Sequence, residues 1–192
     1  SFAFVANQIA PLPASAVGTR RRPGIPPAAD LDHLLRDALQ AAGIEYIATS
    51  SVFFDLEFAA AHPDAIPVDA GGQRAEKIDW YEGLCPTHAG LIASHAAGIE
   101  RVVAGLEPDG VHLQFIRFPG FWEDSCAGTG LPGPAEFCFC PRCVAAFAGW
   151  LGEVPPSEPA AWIAANHREA WTRWKCERIA TVATELVAAA RA

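Results

Sequence analysis

The chain has 192 residues, of which 51% are hydrophobic and 19% charged, a balance that supports one sizeable core and excludes a disordered chain. Its 14 basic and 22 acidic residues give a formal net charge of −8, which opposes binding to a phosphate backbone and argues against nucleic acid as a partner. No run of about 18 uninterrupted apolar residues predicts a membrane span. We therefore expect a soluble protein; its compartment and its assembly into a homo-oligomer stay open.

The apolar pattern alternates between strand spacing and helix spacing from the start of the chain. Residues 2–6 are predicted to form a buried strand. After a loop rich in Pro and Gly, Asp30 is predicted to cap a helix that ends at Gly43. Residues 44–49, which follow a short turn, are then predicted to form a second strand.

The same order repeats further along the chain. A long polar loop leads to the sequence WYEGLCPTH, residues 80–88, and Thr87 is predicted to cap the next helix. Residues 111–118 follow as a strand. Two helices, around 144–151 and 159–190, are predicted to close the chain.

Helices that alternate with strands, with short helix-to-strand turns and long strand-to-helix loops, indicate parallel βα units. An open doubly wound sheet is the competing fold, but the chain has neither GxGxxG nor GxxxxGK[ST], the motifs of its usual nucleotide ligands. A complete barrel needs about 250 residues. We therefore predict an α/β fold: a partial or truncated (β/α) TIM-type barrel with parallel strands, one domain over residues 1–192, and a fragment of a longer barrel.

The sequence CFCPRC, residues 138–143, holds three of the six cysteines. Cys140 and Cys143 have the spacing of a redox pair at the start of a helix, but that chemistry has no use for Cys138. A tetrahedral zinc site uses all three and takes a fourth ligand from elsewhere in the chain. Cys85, Cys126 and His88 are the candidates for that ligand.

Two segments resemble the family 42 β-galactosidases and related barrel glycosidases. The first is WYEGLCPTH; the second is CFCPRC followed by Phe147, Trp150 and Leu151. In that family a Cys-Pro turn and a CxCxxC knuckle hold a structural zinc ion. The resemblance implies a zinc site formed by Cys85, Cys138, Cys140 and Cys143.

The strand DGVHLQFIRFP, residues 109–119, is similar to a strand of the same glycosidases, in which an Asp stands at the position of Gln114. An amide can neither ionise nor accept a proton at neutral pH, whereas glycoside hydrolysis usually needs two carboxyl groups. The available carboxyl groups just past this strand are Glu123 and Asp124, which we predict as catalytic residues. The predicted carbohydrate-binding residues are Glu82, His112, Gln114, Arg117 and Trp122.

These features predict a glycoside hydrolase-like protein that acts on the O-glycosidic bonds of a carbohydrate. A relative that only binds carbohydrate and a thiol oxidoreductase are the alternatives. Among the other polar and aromatic residues, His95 is expected to be a core histidine. Trp171 and Trp174 are expected to pack in the core, and Cys176 to be a small buried side chain.

Overall fold

The computed structural model describes residues 2–7, 28–77, 81–120 and 136–192. Three described strands form one parallel sheet in the order β1 (Phe2–Asn7), β2 (Ile44–Ser51) and β3 (Gly110–Gln114). The described helices are α1 (Ala28–Ala41), α2 (Leu56–Ala61), α3 (Ala89–Leu106), α4 (Pro141–Leu151), α5 (Pro159–Trp162) and α6 (Arg168–Ala189). A 3-10 turn covers Pro63–Ala65, and a π-helical turn, Ile163–His167, joins α5 to α6.

Helices α1 and α3 connect neighbouring parallel strands, so the sheet consists of two consecutive βαβ units. Gly43 ends the first unit's helix: its φ of 71° is a left-handed conformation that glycine adopts without a steric penalty. The predicted alternation of helices with parallel strands is therefore confirmed. None of the described helices is long and apolar enough to cross a membrane.

The first core lies between the sheet and the two long helices α3 and α6. It is formed by buried side chains of strand β2 and the segment after it, of α3, and of the C-terminal half of α6: Ala48, Val52, Phe53, Leu91, Ile99, Val182 and Leu186. Val111 and Leu113 of β3 pack against it. This core holds the helices on one face of the sheet.

A second core surrounds the cysteines. Cys85, Cys138, Cys140 and Cys143 pack with Phe147, Ile163, Trp171 and Trp174. The ring of Phe147 meets that of Trp171 edge-on at 4.9 Å, and Trp171 stacks on Trp174 at 4.8 Å. The prediction that both tryptophans pack in the core is confirmed.

Several element boundaries differ from those predicted. Helix α1 begins before Asp30, and α2 lies in a segment for which we predicted no helix. Strand β3 ends at Gln114 because Phe115 has a φ of 53°, outside the extended range. The cap of α3 is His88 and not Thr87: the Nδ1 atom of His88 accepts a hydrogen bond from the Leu91 N–H at 3.1 Å.

Candidate metal centre and strand-end site

Cys85 lies in a turn that backbone hydrogen bonds tie to two other segments. The N–H of Leu84 donates to the carbonyl of Phe53, just after β2, at 2.9 Å. The N–H of Cys85 itself donates to the carbonyl of Ala65 at 2.8 Å. These bonds fix the backbone position from which the Cys85 thiol projects.

The three cysteines of the knuckle approach from the other side. The N–H of Phe139 donates to the carbonyl of Val68 at 2.7 Å, and the N–H of Val68 donates to the sulfur of Cys138 at 3.3 Å. Cys140 is the N-cap residue of α4, and Cys143 lies in the first turn of that helix. The reciprocal bonds at Val68 and the start of α4 therefore orient three sulfurs toward Cys85.

The four sulfurs converge. All lie within 4.8 Å of one another, and the Cys85 Sγ is 3.6 Å from that of Cys140 and 3.5 Å from that of Cys143. Four thiolates about 2.3 Å from a tetrahedral ion would be separated by about 3.8 Å. All four side chains are buried, and every described cysteine is a free thiol. The cluster is therefore compatible with a metal site.

The proximity of the four sulfurs perturbs their ionisation. Hydrogen bonds from the thiols of Cys138 and Cys143 lower the pKa of Cys140. Hydrogen bonding raises the pKa of Cys138, chiefly through Cys140, and raises the pKa of Cys143, chiefly through Cys138. Hydrogen bonding, first with Cys138, lowers the pKa of Cys85 to about 7. If all four sulfurs were ionised this close together in a buried site, a cation would be needed to compensate their charge.

Two polar side chains border the cluster. The hydroxyl of Thr87 is 3.1 Å from the Cys85 sulfur and 3.3 Å from the Cys143 sulfur. Arg142, inside the CFCPRC sequence, donates to the Asp64 carboxylate at 2.8 Å. Burial works against the charge of Arg142, but the thiolates of Cys85 and Cys140 and the carboxylate of Asp64 raise its pKa. A guanidinium thus lies beside a site where negative charge would accumulate.

A second group of polar side chains lies at the carboxyl ends of β2 and β3. Ser51 and Gln114 are register partners, and the Gln114 amide donates to the Ser51 hydroxyl at 3.1 Å. The preceding residue, Ser50, approaches His95 of α3, with 3.4 Å between Oγ and Nδ1. Because successive strand residues point to opposite faces, Ser51 and Gln114 lie on the face away from α3.

Three other predicted binding residues that the structure describes, His112, Arg117 and Glu82, lie near this strand end. His112 pairs in register with Thr49 and is exposed. Arg117 donates to the carbonyl of Gly120 at 3.0 Å, and its guanidinium lies 5.7 Å from the centre of the Phe115 ring. Glu82 is half-buried in the turn that leads to Cys85.

An aromatic group at the same end was not predicted. Phe54, after β2, stacks on Tyr81 with 6.0 Å between ring centres. Phe115, after β3, lies 5.6 Å from Phe54 and 6.0 Å from Tyr81. The three residues are separated in sequence, so no local pattern indicates their contact. The available signal was that Phe54 lies shortly after the predicted strand 44–49 and that Phe115 lies within the predicted strand 111–118.

Glu123, Asp124 and Trp122 lie outside the described residues, as does Cys126, so their predicted roles stay predictions. His95 is buried, as expected for a core histidine. The prediction for Cys176 was wrong: this residue is exposed, because it lies on the outer face of α6.

No protein-family model matches the chain, and no curated protein matches it. Solved structures do. An α-L-fucosidase isoenzyme 2 from Paenibacillus thiaminolyticus has a TM-score of 0.59 and 16% identity over 86% of this chain and 23% of the fucosidase. A β-galactosidase from Bacillus circulans sp. alkalophilus has a TM-score of 0.61 and 13% identity over 99% of this chain and 30% of its own.

The catalytic domain of a β-amylase from Paenibacillus polymyxa is similar as well, with a TM-score of 0.58 and 11% identity over 98% of this chain and 55% of that domain. The chain has a glycosidase-like fold. It spans 23 to 55% of the length of these three glycoside hydrolases. At such low identities the likeness is one of fold.

Proposed function

We propose that the chain is one section of a glycosidase-type (β/α) barrel, a single domain that binds carbohydrate at the carboxyl ends of β2 and β3. The fold shared with three glycoside hydrolases supports the barrel. In such barrels substrate sites lie at the carboxyl ends of the strands. The observation that carries the proposal is the Ser51–Gln114 pair, two polar side chains joined at 3.1 Å on neighbouring strand ends.

The chemistry of this strand end favours sugars. Besides the hydrogen that it donates to Ser51, the Gln114 amide has a second N–H and an acceptor oxygen; with the Ser51 hydroxyl and the Arg117 guanidinium, these groups match the hydroxyl groups of a carbohydrate. The half-buried ring of Phe115 provides apolar surface beside them, and the buried ring of Tyr81 lies 6.0 Å behind it. We propose that His112 and Glu82 line the same site, together with Trp122.

We further propose hydrolysis of O-glycosidic bonds, with Glu123 and Asp124 supplying carboxyl groups. Retaining hydrolysis requires two carboxyl groups about 5 Å apart, and inverting hydrolysis requires a wider separation. A protein of this fold that binds carbohydrate without cleaving it is the second candidate. It is favoured by Gln114, because an amide stands where the resembling glycosidases have a carboxylate.

We also propose that Cys85, Cys138, Cys140 and Cys143 hold a structural zinc ion. Zinc is favoured because four thiolates with no vacant position are typical of structural zinc sites. The ion would hold the turn containing Cys85 against α4 and neutralise the buried thiolates. A thiol oxidoreductase is less well supported, since a redox pair needs one accessible thiol and all four sulfurs here are buried.

The test is a binding and hydrolysis screen of the chain against aryl α- and β-glycosides, including galactosides and fucosides, with saccharide binding followed by calorimetry or NMR. Gln114→Leu should weaken saccharide binding about tenfold, as expected for a lost hydrogen-bonding group at a binding site. Gln114→Asp should leave binding little changed, and a gain of hydrolysis would identify a degenerate glycosidase.

Gln40→Leu is the matched control. Gln40 also donates a side-chain hydrogen bond, to Asp109 at 3.0 Å, but it lies on α1. The Gln40→Leu variant should bind saccharides as wild type does. Absence of both binding and hydrolysis across the screen, or binding that Gln114→Leu does not weaken, would contradict the proposal.

A further inference from the structure

Three side chains with metal-ligating atoms meet at the surface, separate from the cysteine cluster. The ligating atoms of His62, Asp64 and His88 lie within 4.8 Å of one another. His62 and Asp64 are exposed and His88 is half-buried. The Nε2 atom of His88 is 3.3 Å from Oδ2 of Asp64. The residues come from the 3-10 turn and from the start of α3, so no short sequence motif contains them.

Phe58 of α2 holds the two imidazoles near the carboxylate. Its ring stacks on His62 with 4.2 Å between ring centres and meets His88 nearly edge-on at 5.2 Å. The backbone N–H of His62 donates to the carbonyl of Phe58 at 2.8 Å. Side chains held in this way lose less conformational entropy when they bind an ion, so the arrangement is partly preorganised.

Two existing contacts limit the affinity of such a site. Nδ1 of His88 accepts from the Leu91 N–H, which places the ring proton on Nε2. Binding of a cation at Nε2 moves that proton to Nδ1, but the Leu91 N–H keeps its second bond, 3.1 Å to the His88 carbonyl. Arg142 donates to Oδ2 of Asp64, the same oxygen that faces Nε2 of His88, so a bound ion would use the second oxygen, Oδ1.

We infer that His62, Asp64 and His88 form a second metal site, one that takes an exchangeable divalent transition-metal ion such as zinc, nickel or cobalt. Two imidazoles with one carboxylate favour these ions, whereas magnesium and calcium prefer oxygen ligands alone. Three protein ligands leave coordination positions open to water or a small ligand. A bound ion would join the 3-10 turn to the start of α3.

The experiment is a calorimetric titration of the purified chain with Ni²⁺, after removal of any affinity tag, with the absorption spectrum recorded in parallel. Wild type should bind one Ni²⁺ without nickel–thiolate charge-transfer absorption, since the ligands are nitrogen and oxygen. His62→Asn and His88→Asn should each weaken this event by at least about tenfold, a loss that even outer partners of a metal can cause. Asn at position 88 can still cap α3.

His112→Asn is the matched control, because His112 is an exposed histidine on β3 that belongs to neither cluster. It should leave Ni²⁺ binding unchanged, and near-UV circular dichroism checks that each variant is folded. The assignment is overturned if wild type binds no Ni²⁺ with these properties, or if binding survives in either folded variant. Neither result depends on whether the strand ends bind carbohydrate.

Discussion

His95 is a buried titratable residue in the first core. Its Nδ1 is 3.4 Å from the Ser50 hydroxyl, and among the described residues its Nε2 has no hydrogen-bond partner. Burial lowers the pKa of His95, and the carboxylate of Asp55 only partly opposes the effect. The folded protein therefore holds this imidazole in its neutral form.

This environment predicts a pH-dependent stability. The folded-state pKa of His95 lies below the unfolded value of 6.5. The contribution of the neutral imidazole to the free energy of unfolding is therefore fully present above pH 6.5 and is lost as the pH falls below it. One proton changes the free energy of unfolding by at most about 1.4 kcal/mol per pH unit. Urea unfolding should show that the free energy of unfolding of wild type falls between pH 7.5 and pH 5.5, and that it falls less in His95→Gln.

His112→Gln is the control for this measurement, since it removes an exposed histidine and should keep the wild-type pH dependence. If His95→Gln loses as much stability between the two pH values as wild type does, then another group is responsible.

At the scale of elements, the turn that contains Cys85 is joined to the loop after β3 by a close contact at Gly83. Residue 83 forms an isolated bridge with Phe54. A Cβ atom at this position would lie 2.7 Å from the Cβ of Pro119 and 2.7 Å from the hydroxyl of Tyr81. The Pro119 ring is buried and cannot rotate away, so only glycine fits here without a shift of one segment.

Gly83→Ala should therefore lower the free energy of unfolding by about 1–3 kcal/mol, the usual range for overpacking. Gly149→Ala is the matched control. Gly149 lies in α4, where an added Cβ meets nothing within 4 Å, and alanine there should stabilise the helix by about 0.5–1 kcal/mol. Chemical unfolding measures both variants; equal stabilities would show that the contact with Pro119 can relax.

At the scale of the molecule, the described residues form two cores that the long helix α6 connects. Its C-terminal half packs against α3 and the sheet, while Trp171 and Trp174 in its N-terminal half pack around the cysteines. Only the second core depends on buried thiols. Loss of the proposed zinc ion should therefore affect the two cores unequally.

Purified chain should contain about one zinc ion per molecule by elemental analysis, as expected for a closed four-thiolate site. Cys85→Ser should lose it, because a hydroxyl is a much weaker zinc ligand than a thiolate. Amide hydrogens of α4 should then exchange faster, whereas those of β2 and α3 should stay protected, since binding of structural zinc contributes directly to folding.

Cys176→Ser replaces an exposed thiol and should change neither zinc content nor exchange. We expect the same of Cys126→Ser. Zinc retained by Cys85→Ser, or lost by Cys126→Ser, would mean that a different fourth ligand completes the site.

Local patterns were sufficient for the features that depend on neighbouring residues. The order of strands and helices follows from apolar spacing, which reflects the 3.6-residue and 2-residue repeats of the backbone. Gly43 indicated the end of α1 because its conformation is local. CFCPRC indicated three clustered thiols because its cysteines are at most five positions apart.

Tertiary structure decided what distant residues do together. Sequence spacing left Cys85, Cys126 and His88 as candidates for the fourth position of the cluster, and only hydrogen bonds from remote segments bring the Cys85 thiol to 3.5 Å from Cys143. The same packing places His88 beside Asp64, 24 residues earlier in the chain, and so assigns that histidine to a different group. Such contacts depend on how elements pack, and packing is not encoded in any single stretch of sequence.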